Sequence, residues 1–183
     1  SAQNDLEVAK IMALIPDRNW NEVKTQASSF LATKKNATRL QQARMKYALG
    51  AASLASRDPN KALDYFAEAL VLLHGSDENL GSASITRSLD AYLRMPDVAQ
   101  FLENSAVSAA VEARKHNPET VIPEMQMKTR PLNVKEAAAL YRLHELMFPD
   151  RKLPAKYDAF AVSYKNPSAG TAEQAPAEAE KKQ

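Results

Sequence analysis

Prolines set the outline of this chain. Eight of its ten, Pro16, Pro59, Pro96, Pro118, Pro123, Pro131, Pro149 and Pro154, fall between stretches whose apolar residues recur every three or four positions. Proline is tolerated in the first turn of a helix, where an amide would lack a partner anyway, and it disrupts a helix from within. The chain is therefore divided into helices expected at about 4–15, 18–34, 37–56, 59–74, 79–94, 97–116, 133–148 and 154–164. Strands have no comparable signal, because there are only four glycines and β-branched residues never alternate with polar ones over a run. The expected fold class is all-α.

A chain of 183 residues suits one domain with a proper core better than two small ones. The text changes at Asn166 to "NPSAGTAEQAPAEAEKKQ", which holds no aromatic and no large aliphatic residue. Such a segment cannot bury enough apolar surface to offset its ordering entropy. Residues 1–165 are thus expected to form the helical domain and residues 166–183 a flexible Ala/Pro/Glu/Lys-rich tail. The absence of cysteine excludes disulfides, thiolate metal sites and a cysteine nucleophile. A net charge of +2, with bases scattered among acids, argues against nucleic acid as a partner. No apolar run approaches the roughly 18 residues of a membrane span. The opening "SAQNDLEV" suits the small-residue end of a signal-peptide cleavage site, so a periplasmic or secreted location is expected, with a processed organelle protein or a cytosolic fragment as alternatives.

The packing faces can be read from spacing. Trp20, Val23, Ala27, Phe30 and Leu31 form one apolar stripe, Leu40, Ala43, Tyr47, Gly50, Ala51 and Leu54 a second. Val98, Phe101, Leu102, Ser105, Ala109 and Ala113 form a third, with side chains small enough to admit a close neighbour. In "ARMKYALGAASLASRDPNKALDYFAEALVLLHG", residues 43–75, Asp58 is a good N-cap and Pro59 a good first helical residue. The segment is a helical hairpin in which Gly50 and Ala62 are small where the two helices come closest, and Phe66 and Ala69 continue the inner face.

This hairpin resembles one unit of the tetratricopeptide repeat, a helix-turn-helix of roughly 34 residues with Leu-Gly in its first helix and Ala, an aromatic and Ala in its second. Leu49, Gly50, Ala62, Phe66 and Ala69 match those repeat-packing positions in register. Lys46, Ser53 and His74 depart from the pattern, and residues 79–113 can be laid on a degenerate second copy. The resemblance implies antiparallel hairpins stacked as a short superhelix that serves as a non-catalytic interaction scaffold or accessory subunit of a larger assembly. It implies a protein or peptide partner and no cofactor, and it puts Arg44, Tyr47, Ala51, Leu54 and Ala55 on the groove-facing side. These are largely apolar, unlike the lysines and asparagines with which some members clamp a terminal carboxylate, so an apolar partner segment is expected.

Two other readings stand beside it: a non-repeat helical bundle acting as a structural subunit, and an enzyme or small-ligand binder with a pocket near Tyr141 and His144. His74, His116 and His144 lie on separate segments without a second ligand at helical spacing, and no metal is expected. There is no HExxH, no phosphate-binding glycine loop and no GxSxG, so no catalytic residue is expected. Asp64 and Glu68 are simplest as a solvated face. Met125 and Met127 fall in a proline-rich stretch, 116–133, expected to cross the surface as a partly ordered loop, where they fill gaps or form an adaptable contact.

Overall fold

Helices begin where the sequence supplies a capping oxygen or a proline. The computed structural model describes residues 1–167, and among these residues all regular structure is helical. Helix α1 (Ala2–Ala13) starts with the Ser1 hydroxyl accepting from the Asn4 amide, and α2 (Trp20–Thr33) follows. Helix α3 (Arg39–Ala55) opens with a reciprocal capping box between Thr38 and Gln41. Helix α4 (Pro59–Leu73) combines Pro59 in its first turn with an Asp58 carboxylate accepting from Lys61 N. Its end is turned by His74 and Gly75, both left-handed at φ 48° and 79°. Asp77 caps α5 (Glu78–Leu93), and α6 (Pro96–Leu102), α7 (Ser105–Arg114), α8 (Glu124–Thr129) and α9 (Leu132–Met147) complete the main elements. A 3-10 turn, Ala155–Tyr157, leads into the single helical turn α10 (Asp158–Ala161).

Three local expectations are corrected. The helix expected over 97–116 is two, because Asn104 turns its side chain onto the Ala106 amide and caps α7. The stretch 116–133 contains α8, which buries Met127 and leaves Met125 73% exposed. The helix expected at 154–164 shrinks to the 3-10 turn and α10. Of the expected tail, residues 168–183 lie outside the described residues.

Helix α3 is the centre of the first core. It packs against α1, α2, α4 and α5, and its residues are buried without a break from Tyr47 to Leu54. Gly50 is there because nothing larger fits: a Cβ at this position would stand 2.6 Å from Cε1 of Phe66. That ring is fully buried and tilted against Tyr47, with centroids 5.8 Å apart. Leu49, Ala62 and Ala69 are buried in the same core.

Helix α5 separates this core from a second one. Its Leu80 and Ala91 belong to the first, while Ile85, Leu89 and Tyr92 meet Val98, Val134, Ala137, Tyr141, Tyr157 and Phe160 in the second. On the side of the second core the helix laid along α5 is chiefly α9, which begins some forty residues after α5 ends. The Tyr92 hydroxyl donates to Glu136 at 2.9 Å near one end, and Ser82 Oγ meets His144 Nε2 at 2.7 Å near the other, so the two run antiparallel. A small third cluster of Val107, Ala110, Ile122, Met127 and Val162 ties α7 and α8 to α10.

Two substitutions test this central contact by chemical denaturation. Phe66→Ala should lose about 3–5 kcal/mol, the usual result of emptying a buried aromatic site. Gly50→Ala should also destabilise, by about 1–3 kcal/mol of overpacking against a helix-propensity gain of about 1. A stabilised Gly50→Ala protein would show that the Phe66 ring is free to move away.

Candidate functional site

The side of α3 expected to be an open groove is covered by the chain itself. Tyr47, Ala51 and Leu54 are buried, and α5 lies over them. Arg87 Nε donates to the Tyr47 hydroxyl at 2.7 Å, with its guanidinium 5.5 Å from the ring centre. Arg94 Nη1 donates to the Leu54 carbonyl at 2.6 Å. Arg44 Nη2 stands 3.7 Å from Asp77, the residue that caps α5. Among the four residues proposed for partner contact only Arg44 is half-exposed, and Ala55 beyond them is exposed. These residues therefore hold the next helix rather than line a free surface.

At the alternative location, near Tyr141 and His144, both side chains are buried. His144 is 1% exposed, its ring lies 5.1 Å from that of Phe148, and its Nδ1 is buried without a hydrogen-bond partner. The Ser82 contact on Nε2 looks superficially like a nucleophile and base, yet among the described residues no carboxylate orients the imidazole through Nδ1. Burial, with the Arg151 charge added, holds the His144 pKa below the usual histidine value. This is a structural contact between α5 and α9.

Helix α4, running against α5, and helix α9, also antiparallel to α5, leave between them a groove of about 720 Å³ whose floor is Ser88 and Tyr92. One wall is Asn60, Leu63, Asp64, Ala67 and Leu70; the other is Asn133, Glu136, Ala139, Leu140 and Leu143. Leu63, Leu70 and Leu140 are half-buried, Ala67 and Ala139 exposed, and Leu143 40% exposed. The Ser88 hydroxyl is committed to the Ser84 carbonyl at 2.8 Å. Tyr92 is committed to Glu136, and its burial and that carboxylate hold the phenol far above the usual tyrosine range. Past the apolar end, Val71 is 68% exposed and Leu146 65%.

Sequence reading missed this groove although a signal was present. Helix α9 carries Val134, Ala137, Tyr141 and His144 on its buried side, and Leu140, Leu143, Leu146 and Met147 on another. An apolar surface wider than one stripe means a helix with two neighbours, or one neighbour and an unfilled place. No family model, no curated protein and no solved structure matches the chain. The groove is thus judged on its own geometry.

The buried imidazole gives a pH-dependent stability. A depressed native pKa means that the unfolded chain binds the extra proton first, so stability falls as pH drops below about 6.5, the unfolded value. Denaturation midpoints at pH 7.5 and 5.5 should differ, and His144→Gln should reduce the difference. An unchanged difference would assign it to other groups.

Proposed function

We propose that this domain is a non-catalytic interaction module, an accessory subunit of a larger assembly, which receives a segment of a partner protein between α4 and α9. The observation that carries this reading is the groove, whose two walls keep Leu63, Ala67, Leu70, Ala139, Leu140 and Leu143 at least partly accessible side by side. Exposed apolar side chains scattered singly need no explanation, whereas a contiguous concave set is what binding surfaces look like.

The helix order supports a tetratricopeptide-like arrangement. The first helices of successive pairs touch in series, α1 on α3 and α3 on α5, and each second helix also packs on the next first helix, α2 on α3 and α4 on α5. That is the neighbour pattern of stacked hairpins, in which each unit buries the apolar face of the one before. The third pair departs from it, since the second place is taken by α9. The departure opens the groove, because α9 follows a different path from a helix closed by a short turn.

Substitutions in the walls separate this reading from a purely structural one. Leu143→Asp and Ala67→Asp alter exposed positions, so each should leave folding stability within about 0.5 kcal/mol while weakening a co-purified partner about tenfold or more. Tyr47→Ala should instead destabilise the fold by about 3 kcal/mol, as a buried aromatic site does. Undiminished partner recovery with both wall variants would move the interaction off this groove.

A further inference from the structure

The groove is polarised along its length, and both walls carry the same gradient. Each advances ten residues, from Asn60 to Leu70 and from Asn133 to Leu143, or about 15 Å at the helical rise of 1.5 Å per residue. Because α4 and α9 both run against α5, their amino-terminal ends lie together. At that end stand Asn60, Asp64, Asn133 and Glu136, with Leu63 the one large apolar side chain among them; at the other, Ala67, Leu70, Ala139, Leu140 and Leu143.

Resting on the groove reading above, we infer that the occupant is an amphipathic helix of another protein whose apolar stripe, about two turns long, ends in a lysine or arginine seated between Asp64 and Glu136. The backbone selects a helix over an extended peptide. The walls and floor are all helical and offer no unpaired row of amides and carbonyls, so an extended strand would leave its own polar groups unmet against the apolar half. A helix satisfies its backbone internally and presents anchors at i, i+3 or i+4, and i+7, which match the length of the walls.

The charge follows from what the two carboxylates lack. Asp64 takes part in no ion pair or hydrogen bond of the described residues, and Glu136 is met only by the neutral Tyr92 hydroxyl through Oε2. Asp97 adds a third carboxylate at this end, where it accepts from Asn133 Nδ2 at 3.0 Å. The cations nearby are turned elsewhere: Arg57 and Arg94 gather with Pro59 in a separate depression, and Arg94 is held on the Leu54 carbonyl. Lys61 and Lys135 are exposed and do not line the groove. A positive end on the partner therefore meets two carboxylates without an ion-pair partner among the described residues, the complementarity that fixes register and rejects competitors. The chain's own residues 168–183 do not fit this description, since they contain no large aliphatic side chain for the apolar half.

The test uses the full chain and two labelled synthetic helical peptides of about four turns, each with leucines at i, i+3 and i+7. One carries lysine a turn beyond the leucines and the other glutamate in the same place; fluorescence anisotropy reads binding. The lysine peptide should bind about tenfold more tightly, with the gap narrowing at high salt. Asp64→Asn combined with Glu136→Gln, which keeps a partner for Tyr92, should bring the two peptides within about twofold while leucine-driven binding remains. Equal binding to the wild-type chain, or a preference that survives the double variant, overturns the charge assignment and leaves the groove reading standing. Failure of both peptides to bind, or binding that survives Leu143→Asp, overturns both. Self-association lost on Leu143→Asp, seen by sedimentation, would make a second copy the occupant. Tighter peptide binding after truncation at Pro167 would make it the chain's own end, and either result overturns the proposal.

Discussion

A helix with two buried faces holds this molecule together. Helix α5 must pack against α3 and α4 on one side and α9 on the other, which leaves little room for polar side chains or bulk. Its sequence meets the requirement with serines that behave as small core residues: Ser84 Oγ donates to the Leu80 carbonyl at 2.7 Å and Ser88 Oγ to the Ser84 carbonyl. Hydroxyls satisfied within their own helix can be buried without a partner from outside. Gly81 serves the same end, since a Cβ there would come within 3.2 Å of the Phe148 ring. Small surfaces on α5 let both neighbours approach closely, and the two cores are consequently joined through one helix.

Several of the polar contacts that cross between elements also radiate from α5. Arg87 and Arg94 reach back to α3, and Tyr92 reaches forward to α9. Asp90 accepts from the Tyr157 hydroxyl at 2.5 Å and pairs with Lys156 at 2.9 Å, fixing the segment before α10. Burial and the Asp90 carboxylate push the Tyr157 phenol up to about 12, so it remains a neutral donor through ordinary pH. Tyr92 and Tyr157 each have an apolar body in the second core and a polar tip at its margin, which lets directional bonds set the rotation of a helix that packing alone would leave loosely defined.

Much of the helical layout was legible because it depends on local chemistry. Asp58 and Pro59 open α4 as their types require, Asp77 opens α5, and Gly50 opposite Phe66 follows from one position needing to be small and the other large. The short-range cap at Asn104 was equally readable in principle, and was overlooked because the apolar spacing of 97–116 continues across it. The candidate site was a different matter. Arg87 lies 40 residues from Tyr47, and nothing at either position announces that the guanidinium will close over the ring. The α4–α9 groove depends on which helix occupies the place beside α5, a choice made by tertiary packing. The excess apolar surface of α9 was the sole trace of it, and one sequence does not say whether such a surface faces a neighbour or water.

The long return from α5 to α9 shapes how this domain must assemble. Between α3 and α4 the chain closes through three residues, 56–58, whereas between α5 and α9 it traverses residues 94–131. With entropy growing as the logarithm of loop length, that closure costs on the order of 2 kcal/mol more before any contact rewards it. Nucleation therefore favours the amino-terminal helices, whose contacts are local, and α9 docks late onto a template already formed. The α9 edge, which forms one wall of the groove, is thus held beside α5 by tertiary contacts made across residues 94–131.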